Sequence, residues 1–306
     1  MASHKKGARF TMDFADGHDM TLPHIASIRE GMMLLALNAG RLAHEGDPPA
    51  AAEDIIAIFN LTKFLADEPT VVSHLTHVAG LSIGLHALEG VLSAAELSEA
   101  FLLRFDASFQ EADTPVFRRA LEGELAIMNA ALKDRSGGIW EGDEWLGLFR
   151  RAYVLSGLHY RDWLRYLDVM ESLLQAADLD EQIAISHPYA EFDWNLYLMR
   201  PAFGPFTYFE RVFRTQRNSN ALMRMGRILL AAERYRLEQG AWPEALPDLV
   251  PDFLEALPPD PAGGDFQMTT DGGWLKVYSH VTIRRDGEDR PLSVRLPLER
   301  SGRNGN

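Results

Sequence analysis

Apolar residues recur at steps of three and four from about residue 21 to residue 239 and then, past Gly240, at steps of two from Trp274 to Ile283. A helix returns to the same face about every 3.6 residues and a strand every second residue, so neither stretch can adopt the other's structure. The switch confines the chain to a long helical part followed by a short β part. Its 306 residues are enough to bury roughly three quarters of the unfolded surface without staples. Cysteine is absent, so the fold has no disulfide and the chemistry no thiolate.

Helix boundaries are legible from caps and breakers. Ile25, Ile28, Met32, Leu35, Ala39 and Leu42 form one face of a first helix, with Thr21 as the expected cap, Pro23 in the first turn and Gly46-Asp47-Pro48-Pro49 as the stop. A second helix carries Ile55, Ile58 and Leu65 and ends near Glu68-Pro69, and a third runs from Thr70 to about Gly90. Ser93-Ala94-Ala95-Glu96 has the form of a capping box opening a fourth. Thr114-Pro115 opens a fifth, closed by Ser136-Gly137-Gly138, and further helices are expected over 143–155 and 158–177. The spacing predicts consecutive antiparallel helices with short loops, arranged either as a repeat-like array or as an irregular bundle.

Residues 186–206 change character, setting Pro188, Pro201 and Pro205 among Tyr189, Phe192, Trp194 and Tyr197. Such a stretch reads first as a packed connection and second as a ligand-binding surface for carbohydrate or another small molecule. A long helix follows, from Phe206 to Gln239. Phe266–Thr270, Trp274–Ile283 and Leu292–Leu296, separated by the turn signals Asp271-Gly272 and Asp286-Gly287, predict a three-stranded antiparallel meander. The expected fold is thus mainly α: a helical array, then a long helix and a small meander forming one α+β unit. The boundaries are a leader over 1–20, an acidic all-helical domain over 21–205 ending in the aromatic connection, the α+β unit over 206–300, and a disordered tail over 301–306.

The charge is uneven. Residues 1–200 hold 16 Lys and Arg against 30 Asp and Glu, whereas 201–306 hold 14 of each, for a net charge of −14. An acidic body excludes nucleic acid as the main partner, because phosphate binding relies on clustered Lys and Arg. Arg211, Arg214, Arg217, Arg224, Arg227, Arg234 and Arg236 make the long helix basic, a match for the acidic part. No run of 18 apolar residues occurs, so no membrane span is expected, and Met1 to Arg9 lacks the apolar stretch of a signal peptide. Met-Ala-Ser-His-Lys-Lys reads as readily as an expression leader as a native terminus.

From Ala231 to Ser279 the chain carries Ala232, Tyr235, Gly240, Trp242-Pro243, Leu246 with Leu249, Pro258, Asp260-Pro261, Phe266 and Tyr278-Ser279. This resembles the C-terminal half of the major pseudopilins of type II secretion, whose pattern is a helix with Ala and Tyr, a glycine, an aromatic-proline pair, Pro-x-Asp-Pro and a closing Tyr-Ser. The family's processing site and anchor helix are missing from this chain, and His280-Val281-Thr282 replaces the usual Gly-x-Asp. With Leu37 to Pro48 and the Val294 to Pro297 strand, the whole chain is similar to large envelope-associated proteins of planctomycete-type bacteria. That resemblance implies an extracytoplasmic, non-catalytic scaffold or protein-interaction module, soluble as given, with a protein or peptide partner and a native anchor upstream. It also implies structural roles for Tyr235, Gly240, Trp242, Pro243, Asp260, Pro261 and Tyr278. Calcium is the one cofactor it raises, through Asp286, Glu288 and Asp289 on the late loop, although calcium takes six to eight oxygens and three side chains supply part of that.

Two motifs point elsewhere. Gly80-Leu81-Ser82-Ile83-Gly84 has the form of a hydrolase nucleophile elbow, which needs a strand entering and a helix leaving; the flanking helical spacing makes Gly80 and Gly84 a close helix contact instead. His74 and His77 lie on one helix face about 60° apart and could hold a metal with a carboxylate from elsewhere, while His86 faces away. A hydrolase built on Ser82 or on His74 and His77 is therefore the catalytic alternative. Asp13, Asp16, His18 and Asp19 read as a polar lead-in, Glu122 and Glu124 as surface charges, and no phosphate-binding loop occurs.

Overall fold

The computed structural model describes residues 10, 12, 20–113, 117–133, 155–177, 207–285 and 288–299. Among them are seven helices and one three-stranded sheet: α1 Pro23–Glu45, α2 Pro48–Ala66, α3 Val71–Ala94, α4 Glu99–Ala112, α5 Phe117–Lys133, α6 Leu158–Ala177, α7 Thr207–Gln239, then β1 Gln267–Asp271, β2 Trp274–Arg285 and β3 Glu288–Pro297. The mainly helical fold with a C-terminal meander is the one the periodicity predicts.

Local chemistry explains most boundaries. Gly46 adopts φ +89° after α1, and its N–H and that of Asp47 return to the carbonyls of Ala43 and Leu42. Asp47 then caps α2 by accepting from Ala50 N–H at 3.2 Å, while the first-turn prolines have no N–H that needs an acceptor. Thr70 caps α3 by accepting from Ser73 N–H at 3.1 Å. Two expectations are corrected. Leu22, not Thr21, occupies the α1 cap position and makes no side-chain cap. Ser93 does not open α4: α3 continues to Ala94, the Ser93 hydroxyl donates to the Glu89 carbonyl at 2.6 Å inside the helix, and α4 begins after Ser98. Burial of Val91 and Leu92 holds that last turn helical, and tertiary packing overrides the local capping pattern.

Helix α3 is the axis of the molecule. Val71, Val78, Leu81, Leu85, Leu88, Val91 and Leu92 are all buried along it. Among the described residues it is the one helix long and apolar enough to cross a membrane, which the residue count had not anticipated; 56% of its apolar window is buried inside this fold. Helices α1, α2 and α3 each touch the other two, a packing common to an irregular bundle and to a stack of helix pairs. Helices α5 and α6 close a second core of Val71, Phe117, Leu121, Tyr166, Met170 and Phe213. Helix α7 runs along α3 and α4 on one side and receives the meander on the other.

The meander starts with a two-residue Gly272-Gly273 loop, both at positive φ, between the opposed Asp271 and Trp274. Leu275 opposes Leu296 and Val277 opposes Val294, and these four face α7. One core is continuous from Ala39 and Ala43 of α1, through Phe59, Leu85 and Phe105, to Met225 and Ile228 of α7 and Val277 and Leu296 of the sheet.

Candidate functional site

The most distinctive polar chemistry inside the helical part is the histidine pair of α3. Both rings are buried, with centroids 6.3 Å apart. His77 Nδ1 lies 3.0 Å from the Thr62 carbonyl, which can only accept, so Nδ1 carries the proton. His74 packs its ring 5.1 Å from that of Phe117 and faces Gln216 of α7, yet neither His74 Nε2 nor Gln216 Oε1 completes a well-formed hydrogen bond. Burial, then the His77 neighbour, push His74 down to about 4; burial also lowers His77. Both imidazoles are neutral near pH 7. A metal would want a third protein ligand, and among the described residues no group of three histidines or carboxylates converges.

A cleft of about 260 Å³ opens beside His77 between α2, α3 and α4, lined by Phe59, Thr62, Lys63, Leu81 and Glu111 among others. Its rim is bridged by a Lys63–Glu111 ion pair at 2.6 Å. A second polar cluster holds the α2–α3 corner: His24 Nε2 stands 2.9 Å and 3.1 Å from the two oxygens of Glu68, Ser73 donates to Glu68 at 2.5 Å, and Glu124 accepts from Val71 N–H at 3.0 Å. Glu124 is thus an anchor of the α3 N-terminus rather than the surface charge its spacing suggests. The distance between these partners in the chain hides the cluster from sequence reasoning.

Ser82 lies in mid-helix, where its carbonyl accepts from His86 Nδ1 at 2.7 Å; the strand that a nucleophile elbow needs is replaced by continuous α3. The flanking glycines are contact points. A Cβ on Gly80 would meet Met32 Sδ and Thr62 Cγ2 at 2.5 Å, and one on Gly84 would meet the Phe59 ring at 2.7 Å.

In the α+β unit, Asp260 is fully buried and accepts from Ala262 N–H at 2.9 Å, the Ser279 hydroxyl at 2.8 Å and His280 N–H at 2.6 Å. It ties the loop holding Pro261 to β2 where the β2–β3 register shifts, just past Tyr278. Gly240 ends α7 at φ +73°, and Trp242 Nε1 donates to the Leu298 carbonyl at 3.2 Å while Pro243 is buried beside it. Tyr235 packs its ring 5.4 Å from Phe253.

The basic face of α7 meets the acidic face of α4 in antiparallel order: Arg224 with Asp113 at 2.9 Å, Arg227 with Asp106 at 2.8 Å, Arg234 with Glu99 at 3.3 Å, and Arg236 with Glu96, just before α4, at 2.6 Å. Of the calcium candidates, Glu288 pairs with Arg290 at 2.9 Å and Asp289 opposes Arg284 across the hairpin, whereas Asp286 lies outside the described residues. Tyr189, Phe192, Trp194 and Tyr197 also lie outside them, as do Asp13, Asp16, His18 and Asp19. Comparison of the chain with protein families, with characterised proteins and with solved structures returns no match.

Proposed function

We propose that this chain is a non-catalytic protein-interaction module of the bacterial cell envelope, in which an acidic helical body and a pseudopilin-like end act as one scaffold. The observation that supports it most is the Asp260 carboxylate. Pro-x-Asp-Pro and Tyr-Ser are separate parts of the pseudopilin pattern, and here the aspartate of one is hydrogen-bonded to the serine of the other. The resemblance therefore rests on residues that act on each other rather than on composition. In this reading the buried histidines and carboxylates hold helices together, and contact with other proteins falls to exposed apolar side chains, which on α1 are Met33, Leu34 and Leu37.

The test is location. An epitope-tagged full chain produced in a planctomycete-type host should fractionate with the envelope and be cut by protease added to cells whose outer layer has been opened. Recovery entirely in the cytosol, protected from that protease, would overturn the envelope assignment. A photo-crosslinking residue in place of Leu37 should form a protein adduct in the same cells; its absence would remove the interaction role.

A further inference from the structure

Helix α1 buries one face and leaves the other patterned. Ile28, Met32, Ala39 and Ala43 point into the protein, while Ser27, Glu30, Leu34, Leu37, Arg41 and His44 form an exposed line on the opposite side. The spacing along that line is three, four, three, four, three, the a/d spacing of a helix that packs against another helix. Its centre is apolar and open: Leu34 is 67% exposed and Leu37 72%, with Met33 beside them at 48%. Isolated exposed leucines need no explanation, but two in consecutive positions of a seam register, with an exposed methionine flanking them, do.

The line is also symmetric about its midpoint, between Leu35 and Ala36. In an antiparallel pairing of two copies about a two-fold axis there, Leu34 of one copy meets Leu37 of the other, Glu30 meets Arg41, and Ser27 meets His44. Each layer is complementary: apolar against apolar in the middle, then carboxylate against guanidinium. The guanidinium is already held along the face, because Arg41 donates to Asn38 Oδ1 at 3.1 Å and 2.9 Å and pairs with Glu45. A parallel pairing would instead set Glu30 against Glu30 and Arg41 against Arg41. The charge order selects the antiparallel arrangement, and because the line complements its own inverted copy, the occupant it fits is a second copy of this chain.

We infer that α1 is a self-association face, through which two copies of the chain pair antiparallel about a two-fold axis between Leu35 and Ala36. The inference takes up the reading of α1 as a contact face and does not depend on envelope location. From Ser27 to His44 the seam is about 26 Å long, which gives a small interface and a dimer that exchanges with monomer.

Sedimentation of the purified full chain from ~1 to ~200 µM tests it, with dimer expected to dominate at the upper end and monomer at the lower. Leu34→Glu/Leu37→Glu should be monomeric throughout, with unchanged helical circular dichroism because both side chains are exposed. Glu30→Arg alone and Arg41→Glu alone should each weaken the dimer by about tenfold or more, because each creates like-charge layers, and the double exchange should restore it to within about threefold of the parent. A chain that stays monomeric over the whole range, a dimer that survives the double leucine variant, or charge exchanges that fail to rescue each other would overturn the inference. A monomeric chain whose residue 37 still crosslinks in cells to a different protein would sink self-association and leave the interaction role standing.

Discussion

The Ser279 hydroxyl lies 2.8 Å from the carboxylate of Asp260, nineteen positions earlier in the chain, and donates to it inside the protein. Two part-buried backbone N–H groups share the same carboxylate, so one side chain satisfies three donors at the shift in the β2–β3 register. Asp260→Ala would orphan all three and should lower unfolding stability by about 3 kcal/mol or more, whereas Ser279→Ala removes one neutral donor and should cost about 1 kcal/mol. Urea unfolding of both variants measures the difference. Equal, small effects would mean that the loop rather than the carboxylate holds β2.

How much of this was legible beforehand differs by level. The face of α1 read from periodicity contains Ile28, Met32 and Ala39, three of the four residues it buries, because burial and helical period are one signal; Ile25, Leu35 and Leu42 of that face are half-buried, and Ala43, the fourth buried residue, lies beside it. Ser93 shows the limit of local rules: serine with glutamate three residues on is a good cap, but two buried neighbours keep the helix going. The histidine pair is visible as one helical turn, yet its partners Thr62, Phe117 and Gln216 come from three other helices, and pattern within a segment does not report pairing between segments. Leu34 and Leu37 lie off the periodic face of α1, so the period places them on its other side, but whether a further helix covers that side is again a matter between segments.

His74 and His77 make stability depend on pH in a defined direction. Their folded pKa values are lowered, so the folded protein keeps them neutral while the unfolded chain takes up protons near 6.5. The contribution is complete above about pH 6.5 and is lost as pH falls towards the folded value of about 4 for His74, by about 2 kcal/mol at pH 5 and about 3 kcal/mol in full. Glu89, raised mainly by burial, acts with the opposite sign. Thermal midpoints should therefore fall between pH 6.5 and 5, and His74→Gln should flatten that slope. A midpoint that is level over this window would show that the rings reach water.

Glycine substitutions should separate by what surrounds them. A Cβ on Gly123 of α5 would run into the Pro69 carbonyl oxygen, a backbone atom that cannot move without shifting the Glu68 corner, so Gly123→Ala should destabilise by about 2 to 3 kcal/mol. Gly90 has open space around it in α3, and Gly90→Ala should stabilise by about 0.5 to 1 kcal/mol through helix propensity alone. A denaturation midpoint that is unchanged or raised in Gly123→Ala would mean that α5 does not press on that corner.

The ion pairs between α4 and α7 join what the sequence divides into two parts, but they are not what holds them. Arg224 with Asp113 and Arg227 with Asp106 are partly buried and the other two pairs have one exposed member, so each contributes about 1 kcal/mol or less and orients the helices rather than binding them. The binding comes from the shared core, in which Met225, Ile228 and Ala232 lie with Phe105 and Phe109 of α4 and with Val277 and Leu296 of the sheet. Removing either layer strips the apolar face of α7. The whole described chain should therefore unfold in one transition, with the same midpoint by far-ultraviolet circular dichroism and by tryptophan fluorescence, and 0.5 M salt should shift it only slightly. An Arg227→Ala/Asp106→Ala double-mutant cycle should give a coupling of about 0.5 to 1 kcal/mol. Two separated transitions, or a fragment from Thr207 onward that folds with the stability of the parent, would show that α7 belongs to the meander alone and that its contact with α4 is incidental.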